Sequence, residues 1–312
     1  MAERTYNSGV RIHNWAEDIC LEEEVLKNFI KKKENGELLI QKTGFFKKNL
    51  LKKTDLANSC DGTIHFGDMV MIVSPDNQVN RFGGTHPAHE ALSLALNADE
   101  SRFIKDKRVI GPCAVSACSI LYPCIRNTFI ITSVDESTEG ETLRYGQHFA
   151  LRTTEEYGGQ LYLTSDHKTF QKYAKNSRMQ EVNLIDNPTF PGCWKALYLD
   201  PEMRLEYEGY PVPANTKILI NHCRTNHNLA LLYKFFLRTS FGREFEVTTH
   251  SFFDSHKVEE DVNHWIILTG HPNIKNGTML QRSIPVCEEP EPKTEEKIEK
   301  KQDPDCIPYK DD

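Results

Sequence analysis

The sequence lacks long hydrophobic runs. No stretch approaches the roughly 18 uninterrupted apolar residues that a membrane-spanning helix requires. The opening residues, Met-Ala-Glu-Arg-Thr-Tyr, contain neither the apolar core of a signal peptide nor the Met-Gly start that myristoylation needs. We therefore expect a protein without a membrane span, a lipid anchor or a secretion signal.

Basic residues are also fewer than acidic ones. The 312 residues include 38 lysines and arginines against 45 aspartates and glutamates, which gives a formal net charge of −7. Nucleic-acid-binding domains are typically basic, so this balance argues against nucleic acid as a partner. The nine cysteines are an odd number and are scattered along the chain. Without a secretion signal, they predict reduced thiols in a cytoplasm-connected compartment.

Motifs that mark catalytic or cofactor sites are missing as well. The sequence has no Walker loop, no Gly-x-Gly-x-x-Gly and no Gly-x-Ser-x-Gly, and most of its cysteines are too widely spaced for structural zinc. The densest group of possible ligands is His222, Cys223 and His227, just after a predicted strand, where alternate side chains point to opposite faces. We expect no metal, no cofactor and no enzymatic activity. A cysteine paired in space with a histidine stays open as an alternative.

A nine-residue pattern occurs three times, at residues 64–72, 143–151 and 212–220. In each copy a turn residue that tolerates a positive φ has apolar residues three positions before it and three and five positions after it. The spacing of two is the period of a half-buried strand. The turn residues and the two apolar residues that follow them are Gly67, Val70 and Ile72; Gly146, Phe149 and Leu151; and Asn215, Ile218 and Ile220.

Aromatic residues that begin short apolar runs recur at a similar interval. Phe129, Trp194 and Trp265 are spaced along the chain almost as widely as the copies of the nine-residue pattern, and they keep the same order relative to those copies. Two signals in one threefold phase predict a mainly β, β-trefoil-like domain over residues 50–272, closed from three similar units. Both tryptophans are predicted to lie in its core.

The flanking segments differ in composition from this domain. Residues 1–18 show no period and are predicted to form an extended arm. Residues 19–33 have the period of an amphipathic helix, with glutamates at its start and lysines at its end, and we expect its apolar face to dock on the β domain. Residues 19–49 thus comprise a helix and a basic linker. Residues 273–312 are predicted to be a disordered, charged and largely acidic tail.

Two segments are the predicted partner contacts. The arm carries Arg11, Ile12 and Trp15, and tryptophan and arginine are enriched at interface hot spots. The alternative is that Trp15 folds back onto its own domain as a staple. The loops at 76–90 and 233–243 are the next candidates for contact.

The second segment is basic and aromatic. Residues 31–53 contain eight lysines and only two glutamates, interleaved with apolar residues, and the contact candidates are Phe45, Phe46, Lys47 and Lys48. The alternative is that the lysine stems cover an element that faces the core.

Several stretches of the sequence resemble known families. Residues 145–147 (Tyr-Gly-Gln), followed by 161–165 (Leu-Tyr-Leu-Thr-Ser), are similar to MIR-type β-trefoils. Longer stretches, over roughly residues 9–270, resemble the cilia- and flagella-associated protein 161 family. These stretches are residues 9–12 with Asn14 and Trp15, 21–24, 38–41, 126–131, 143–147, 205–209, 211–215, 217–223 and 263–265.

This resemblance implies a structural microtubule inner protein of motile cilia. Such proteins bind α/β-tubulin on the lumenal wall of the A-tubule of axonemal doublets, among other microtubule inner proteins. They stabilise the lattice for ciliary and flagellar beating and have no enzymatic role. The alternative from another class is a cytosolic β-trefoil that binds a sugar or phosphate group.

Overall fold

The computed structural model describes residues 12–75, 91–135, 137–187, 190–272 and 277–280, with side chains from Glu17 onward. Three predicted features therefore fall outside the described residues: the first part of the arm, the loop at 76–90 and the tail beyond residue 280. Among the helices of the described ranges, none is long and apolar enough to cross a membrane.

Helix α1 covers Ile12–Glu34 and begins earlier than predicted. The prediction of an extended arm is wrong for residues 12–18, where no proline or glycine interrupts the helical backbone. The end of the helix is as predicted: lysines occupy the last turn and Gly36 adopts a φ of 72°. The Glu37 amide donates to the Lys32 carbonyl at 2.8 Å, which is the hydrogen bond of a glycine-terminated helix.

Helix α2 covers Leu39–Leu50, within the segment predicted as a basic linker. Its lysines obscure the apolar period in the sequence. Phe46 and Leu50, four positions apart on one face, are nevertheless fully buried in the core of the β domain. The alternative interpretation of this segment, with exposed lysines on an element that faces the core, therefore describes α2 correctly.

The remainder of the described chain is mainly β, which confirms the predicted class. Two further helices, α3 and α4, cover Glu100–Asp106 and Arg204–Tyr207, and short 3-10 turns lie at Phe190–Gly192 and Asp261–Asn263. The strands are β1 Met69–Ser74, β2 Leu92–Asn97, β3 Cys113–Cys118, β4 Thr128–Ser133, β5 His148–Thr153, β6 Tyr162–Ser165, β7 Gln180–Ile185, β8 Trp194–Leu197, β9 Lys217–His222, β10 His227–Thr239, β11 Gly242–Thr249 and β12 His264–Leu268.

These twelve strands form one antiparallel sheet that closes on itself. Strands β1, β4, β5, β8, β9 and β12 pair in this order and return to β1, which makes a six-stranded ring. The other six strands form the hairpins β2–β3, β6–β7 and β10–β11. The second strands of these hairpins, β3, β7 and β11, pair with one another. The pairing scheme therefore occurs three times along the chain.

The first residues of the three repeated patterns are joined by backbone hydrogen bonds. The Ile64 amide donates to the Val212 carbonyl at 3.1 Å, the Val212 amide donates to the Leu143 carbonyl at 2.8 Å, and the Leu143 amide donates to the Ile64 carbonyl at 2.8 Å. This closed triangle joins the first, second and third copies directly. All three side chains are fully buried, so the triangle lies inside the core.

The turn residues of the three copies are equivalent. Gly67, Gly146 and Asn215 adopt φ values of 92°, 80° and 60°, a region that glycine and asparagine tolerate. Their amides donate to carbonyls of β4, β8 and β12 at 2.7, 2.9 and 3.0 Å. Each turn therefore fixes the register between the ring strand that follows it and a neighbouring ring strand.

Aromatic residues of the repeats also occupy equivalent places. Between neighbouring strands of the ring, Val70 pairs with Phe129, Phe149 with Trp194, and Ile218 with Trp265. Each of these six residues is at most 1% exposed, as are Ile72, Leu151 and Ile220. The Trp194 and Trp265 indole nitrogens donate to the Leu163 and Leu229 carbonyls at 2.8 and 2.9 Å, so each indole connects the ring to a hairpin.

A buried ion pair lies where α2 meets the β domain. Arg126 is fully buried, and its Nη2 atom lies 2.6 Å from Oε2 of Glu244 on β11. The Arg126 amide donates to the Leu50 carbonyl at 3.1 Å, at the end of α2. The Arg126 guanidinium also lies 4.0 Å from the Phe241 ring, which packs on Phe46. The pair thus links α2 to the third hairpin.

Candidate functional site: an exposed helix face and a thiol cluster

Helix α1 exposes its apolar face. The side chains that share this face by helical spacing, Leu21, Val25, Leu26, Phe29 and Ile30, are 45% to 61% exposed. The prediction that the face docks on the β domain is wrong, since every residue of α1 from Glu17 onward is exposed. At ~1.5 Å per residue, the stretch from Leu21 to Ile30 covers about 14 Å of the helix. An exposed apolar face of this kind is typical of a surface that binds another protein.

The contact candidates of the predicted arm fall at the start of this helix. Arg11 precedes the described residues. Ile12 and Trp15 belong to the first turns of α1, where the structure describes only the backbone. Their assignment as partner contacts therefore stays a prediction.

The contact candidates on α2 divide into two groups. Phe46 is fully buried, with its ring centroid 5.0 Å from that of Phe103, so its assignment as a partner contact is wrong. Phe45 is 44% exposed and packs its ring edge-on against Tyr157. Lys47 and Lys48 are exposed. Helical spacing explains the difference, because only one face of α2 points at the core.

Exposed apolar residues also lie elsewhere in the segments that the sequence indicated as contact candidates. Leu39 and Ile40, at the start of α2, are 70% and 85% exposed. The segment 233–243, predicted as a loop, is instead the end of the β10–β11 hairpin. On this hairpin Phe236 is 44% exposed, with the Arg243 guanidinium 4.0 Å from its ring.

A second feature is a cluster of His148, Cys193 and Cys223, which we term the thiol cluster. One ligand atom from each of the three residues lies within 4.8 Å of the others. The sequence grouped Cys223 with His222 and His227 instead. The ring nitrogens of His222 are hydrogen-bonded to the Thr225 hydroxyl and the Pro191 carbonyl at 2.8 and 2.9 Å, so this histidine faces away from the cysteines.

Strand register assembles the thiol cluster. Trp194 pairs with His222 across β8 and β9, so Cys193 and Cys223 are opposite one another just beyond that pair. Their Sγ atoms are 3.2 Å apart and share a hydrogen bond. This bond lowers the pKa of the Cys193 thiol and raises that of the Cys223 thiol.

The other buried thiols have a different environment. Burial raises the pKa of Cys113 to about 12 and that of Cys124 to about 11, and it also raises the pKa of Cys118. Buried, protonated cysteines of this kind act as small core side chains. The alternative of a cysteine paired with a histidine is therefore restricted, among these five thiols, to the thiol cluster.

These features define a class: a mainly β protein with a closed sheet that carries a long, exposed amphipathic helix. The Cilia- and flagella-associated protein 161-like domain matches residues 42–270. The chain belongs to this family, which confirms the resemblance seen in the sequence.

Individual relatives match most of the chain. It is similar to "Cilia- and flagella-associated protein 161" of Danio rerio, 48% identical over 284 residues that cover 89% of this chain and 92% of that protein. It is also similar to the Bos taurus protein of the same name, 45% identical over 297 residues that cover 93% and 90%. Among solved structures, an SDF2-like protein from Arabidopsis thaliana is 14% identical, with a TM-score of 0.45, and the match covers 66% of this chain and 94% of that one.

Proposed function

We propose that this protein is a structural microtubule inner protein of the axonemal doublets of motile cilia and flagella. In this proposal it binds α/β-tubulin and neighbouring inner proteins on the lumenal wall of the A-tubule. It thereby stabilises the lattice during beating and catalyses no reaction. Membership of a cilia- and flagella-associated family supports the location.

We also infer that the closed sheet is a β-trefoil of the MIR type. Six ring strands, three hairpins and three equivalent turns support this inference. A rigid closed sheet presents its loops at fixed positions, which suits a protein that sits at one place in a lattice.

The exposed apolar face of α1 is the observation that carries the binding proposal. Fully burying a large apolar side chain contributes roughly 1.5–3 kcal/mol, so five half-exposed ones supply about 4–7 kcal/mol. Association costs an estimated 4–15 kcal/mol in lost motional freedom. The helix alone is therefore a weak anchor. Stable retention needs further contacts, for which Leu39, Ile40 and the exposed lysines of α2 are candidates.

The alternative, a module that binds a sugar or phosphate group, has less support. A pocket lined by Asn97, Lys175 and Glu181, among others, has a volume of about 210 Å³. Sites for small organic ligands usually enclose about 300–1,000 Å³. This pocket is therefore small for a site of that kind.

Extraction of axonemes tests the proposal. The protein is expressed in ciliated cells that lack the endogenous copy, and demembranated axonemes are washed with high salt before the tubules are disrupted. We expect the wild type to resist salt and to leave with tubulin. We expect the Val25→Glu, Phe29→Glu double variant to be lost into the salt wash, because two charges interrupt the apolar face.

The matched control is the Cys20→Glu, Lys27→Gln double variant, which lowers the charge of the same helix by the same two units. Both positions are also exposed, and helical spacing places both outside the apolar face. This control should be retained like the wild type, and both double variants should keep the wild-type melting temperature. Release of the wild type with detergent or salt alone would overturn the lumenal location. Full retention of Val25→Glu, Phe29→Glu would remove α1 from the interface.

A further inference from the structure

We propose that the thiol cluster is a metal site in which Cys193, Cys223 and His148 bind one zinc ion on the outer face of the β-domain ring. Soft thiolate and borderline imidazole ligands are the donor set that zinc prefers. Nothing in this proposal depends on the protein being a microtubule inner protein.

The backbone holds the three ligands close together. The Cys223 amide donates to the Cys193 carbonyl at 3.1 Å, which places the two cysteines side by side at the ends of β8 and β9. Phe149 and Trp194 point into the core, so their neighbours His148 and Cys193 lie on the other face of the sheet, where Cys193 is covered by other residues. Because the ligands come from three paired strands, binding requires little ordering of the chain.

The distances suit a tetrahedral ion after a small adjustment. Zinc–sulfur bonds of ~2.3 Å place two thiolates about 3.8 Å apart in a tetrahedron. The two sulfurs are 3.2 Å apart here, so side-chain rotation must open the pair by only a fraction of an ångström. The same 3.2 Å separation is well beyond the ~2.05 Å of a disulfide bond.

Second-sphere groups complete the site. The Asp135 Oδ1 atom lies 3.5 Å from Nδ1 of His148, so its carboxylate would orient the ring when Nε2 binds the metal. Lys195 lies opposite His148 in the β5–β8 register. Two thiolates and Zn²⁺ sum to zero charge, and the aspartate and lysine charges cancel. The loaded site is therefore neutral overall.

Access also differs among the ligands. Cys193 is 2% exposed, whereas the His148 side chain is 45% exposed. Three protein ligands would leave a fourth position for water or for a ligand from a bound partner.

Metal binding to the reduced, full-length protein tests this inference. We expect one Zn²⁺ per chain, and Co²⁺ should give the near-ultraviolet charge-transfer band of cobalt–thiolate bonds. Cys193→Ser and Cys223→Ser should each weaken binding at least 100-fold and remove the band. Asp135→Asn should weaken binding by about 10–100-fold, as is usual for an outer-sphere partner. Cys60→Ser, which removes an exposed thiol elsewhere, is the control and should bind like the wild type.

A second measurement needs no variant. Zn²⁺ should protect Cys223, the partly exposed thiol of the pair, from alkylation by N-ethylmaleimide in the wild type, as mapped by mass spectrometry, and leave the exposed Cys20 and Cys60 reactive. The inference is overturned if the wild type binds no more than a trace of zinc, if zinc persists in both serine variants, or if zinc does not slow alkylation. A Cys193–Cys223 disulfide in protein that binds no zinc would overturn it in favour of a redox pair.

Discussion

Replacement of Trp265 by alanine is the most direct measure of how the repeats hold together. Trp265 is fully buried, pairs with Ile218 across the ring and hydrogen-bonds to the Leu229 carbonyl of the third hairpin. Its loss therefore weakens the ring and its connection to a hairpin together. Trp194 occupies the equivalent place in the second repeat, with its own bond to Leu163.

The magnitude follows from burial. A buried tryptophan removes ~150–250 Å² from water, which at ~25 cal/mol per Å² is about 4–6 kcal/mol. Compact unfolded chains reduce this figure, so we expect ~3–5 kcal/mol, as for other large core truncations. The Leu229 carbonyl adds little to the cost, because it also accepts a hydrogen bond from the Asn263 side chain at 3.1 Å. Trp265→Phe keeps most of the volume and should cost about 1–2 kcal/mol.

Thermal unfolding followed by circular dichroism provides the assay. For a domain of this size, ~1 kcal/mol shifts the melting temperature by roughly 2–4 °C, so Trp265→Ala should lower it by about 6–20 °C. Trp194→Ala should have a similar effect. Phe170→Ala is the control, since Phe170 is 98% exposed and its loss should change little. A cost below ~1 kcal/mol at both tryptophans would refute the packing described here.

Three further changes test other contacts. Arg126→Met removes the charged partner of the buried Glu244 carboxylate, which keeps a hydrogen bond from the Ser116 hydroxyl, and should cost about 3–5 kcal/mol by denaturant unfolding. Adding Glu244→Gln should restore part of this loss, and an equally unstable double variant would contradict the pairing. Burial lowers the pKa of His264 in the folded protein. Below the unfolded-state pKa of ~6.5, the unfolded chain therefore binds more protons than the folded one, so stability should fall from pH 7 to pH 5.5. Burial also lowers the pKa of His222 and His250, so His264→Gln should reduce this dependence without abolishing it, and an unchanged slope would argue against a contribution from His264. Phe46→Ala should cost ~3–5 kcal/mol, whereas Phe45→Ala, on the exposed side of α2, should cost far less; equal costs would contradict the assigned helix face.

Short-range patterns explain why the repeats could be predicted from the sequence. A turn residue that needs a positive φ and apolar residues spaced by two are local properties of each segment, so Gly67, Gly146 and Asn215 identified equivalent turns. The bounds of the helices were less predictable. Helix α2 contains three lysines among its apolar residues, and its core-facing side became clear only where Phe46 and Leu50 contact the core.

Tertiary packing decided the rest of the candidate sites. An amphipathic face predicts that a helix binds something, and it does not indicate whether the partner is its own domain or another protein. The α1 prediction failed at that step. His148, Cys193 and Cys223 are far apart in the sequence, and only the register of β5, β8 and β9 brings them together. The repeat alignment could have revealed this register, because it assigns the paired strands.

Closure of the ring through β1 and β12 has a consequence for biosynthesis. Met71 pairs with Leu268, so the first ring strand closes against the last one to be synthesised. At ~5–20 residues per second, β1 waits about 10–40 s on the ribosome before its last neighbour has been made. During that time its apolar edge is open to association with other chains. A truncation that removes β12 would prolong this exposure indefinitely, so loss of one short C-terminal strand should deplete the whole protein from the cell.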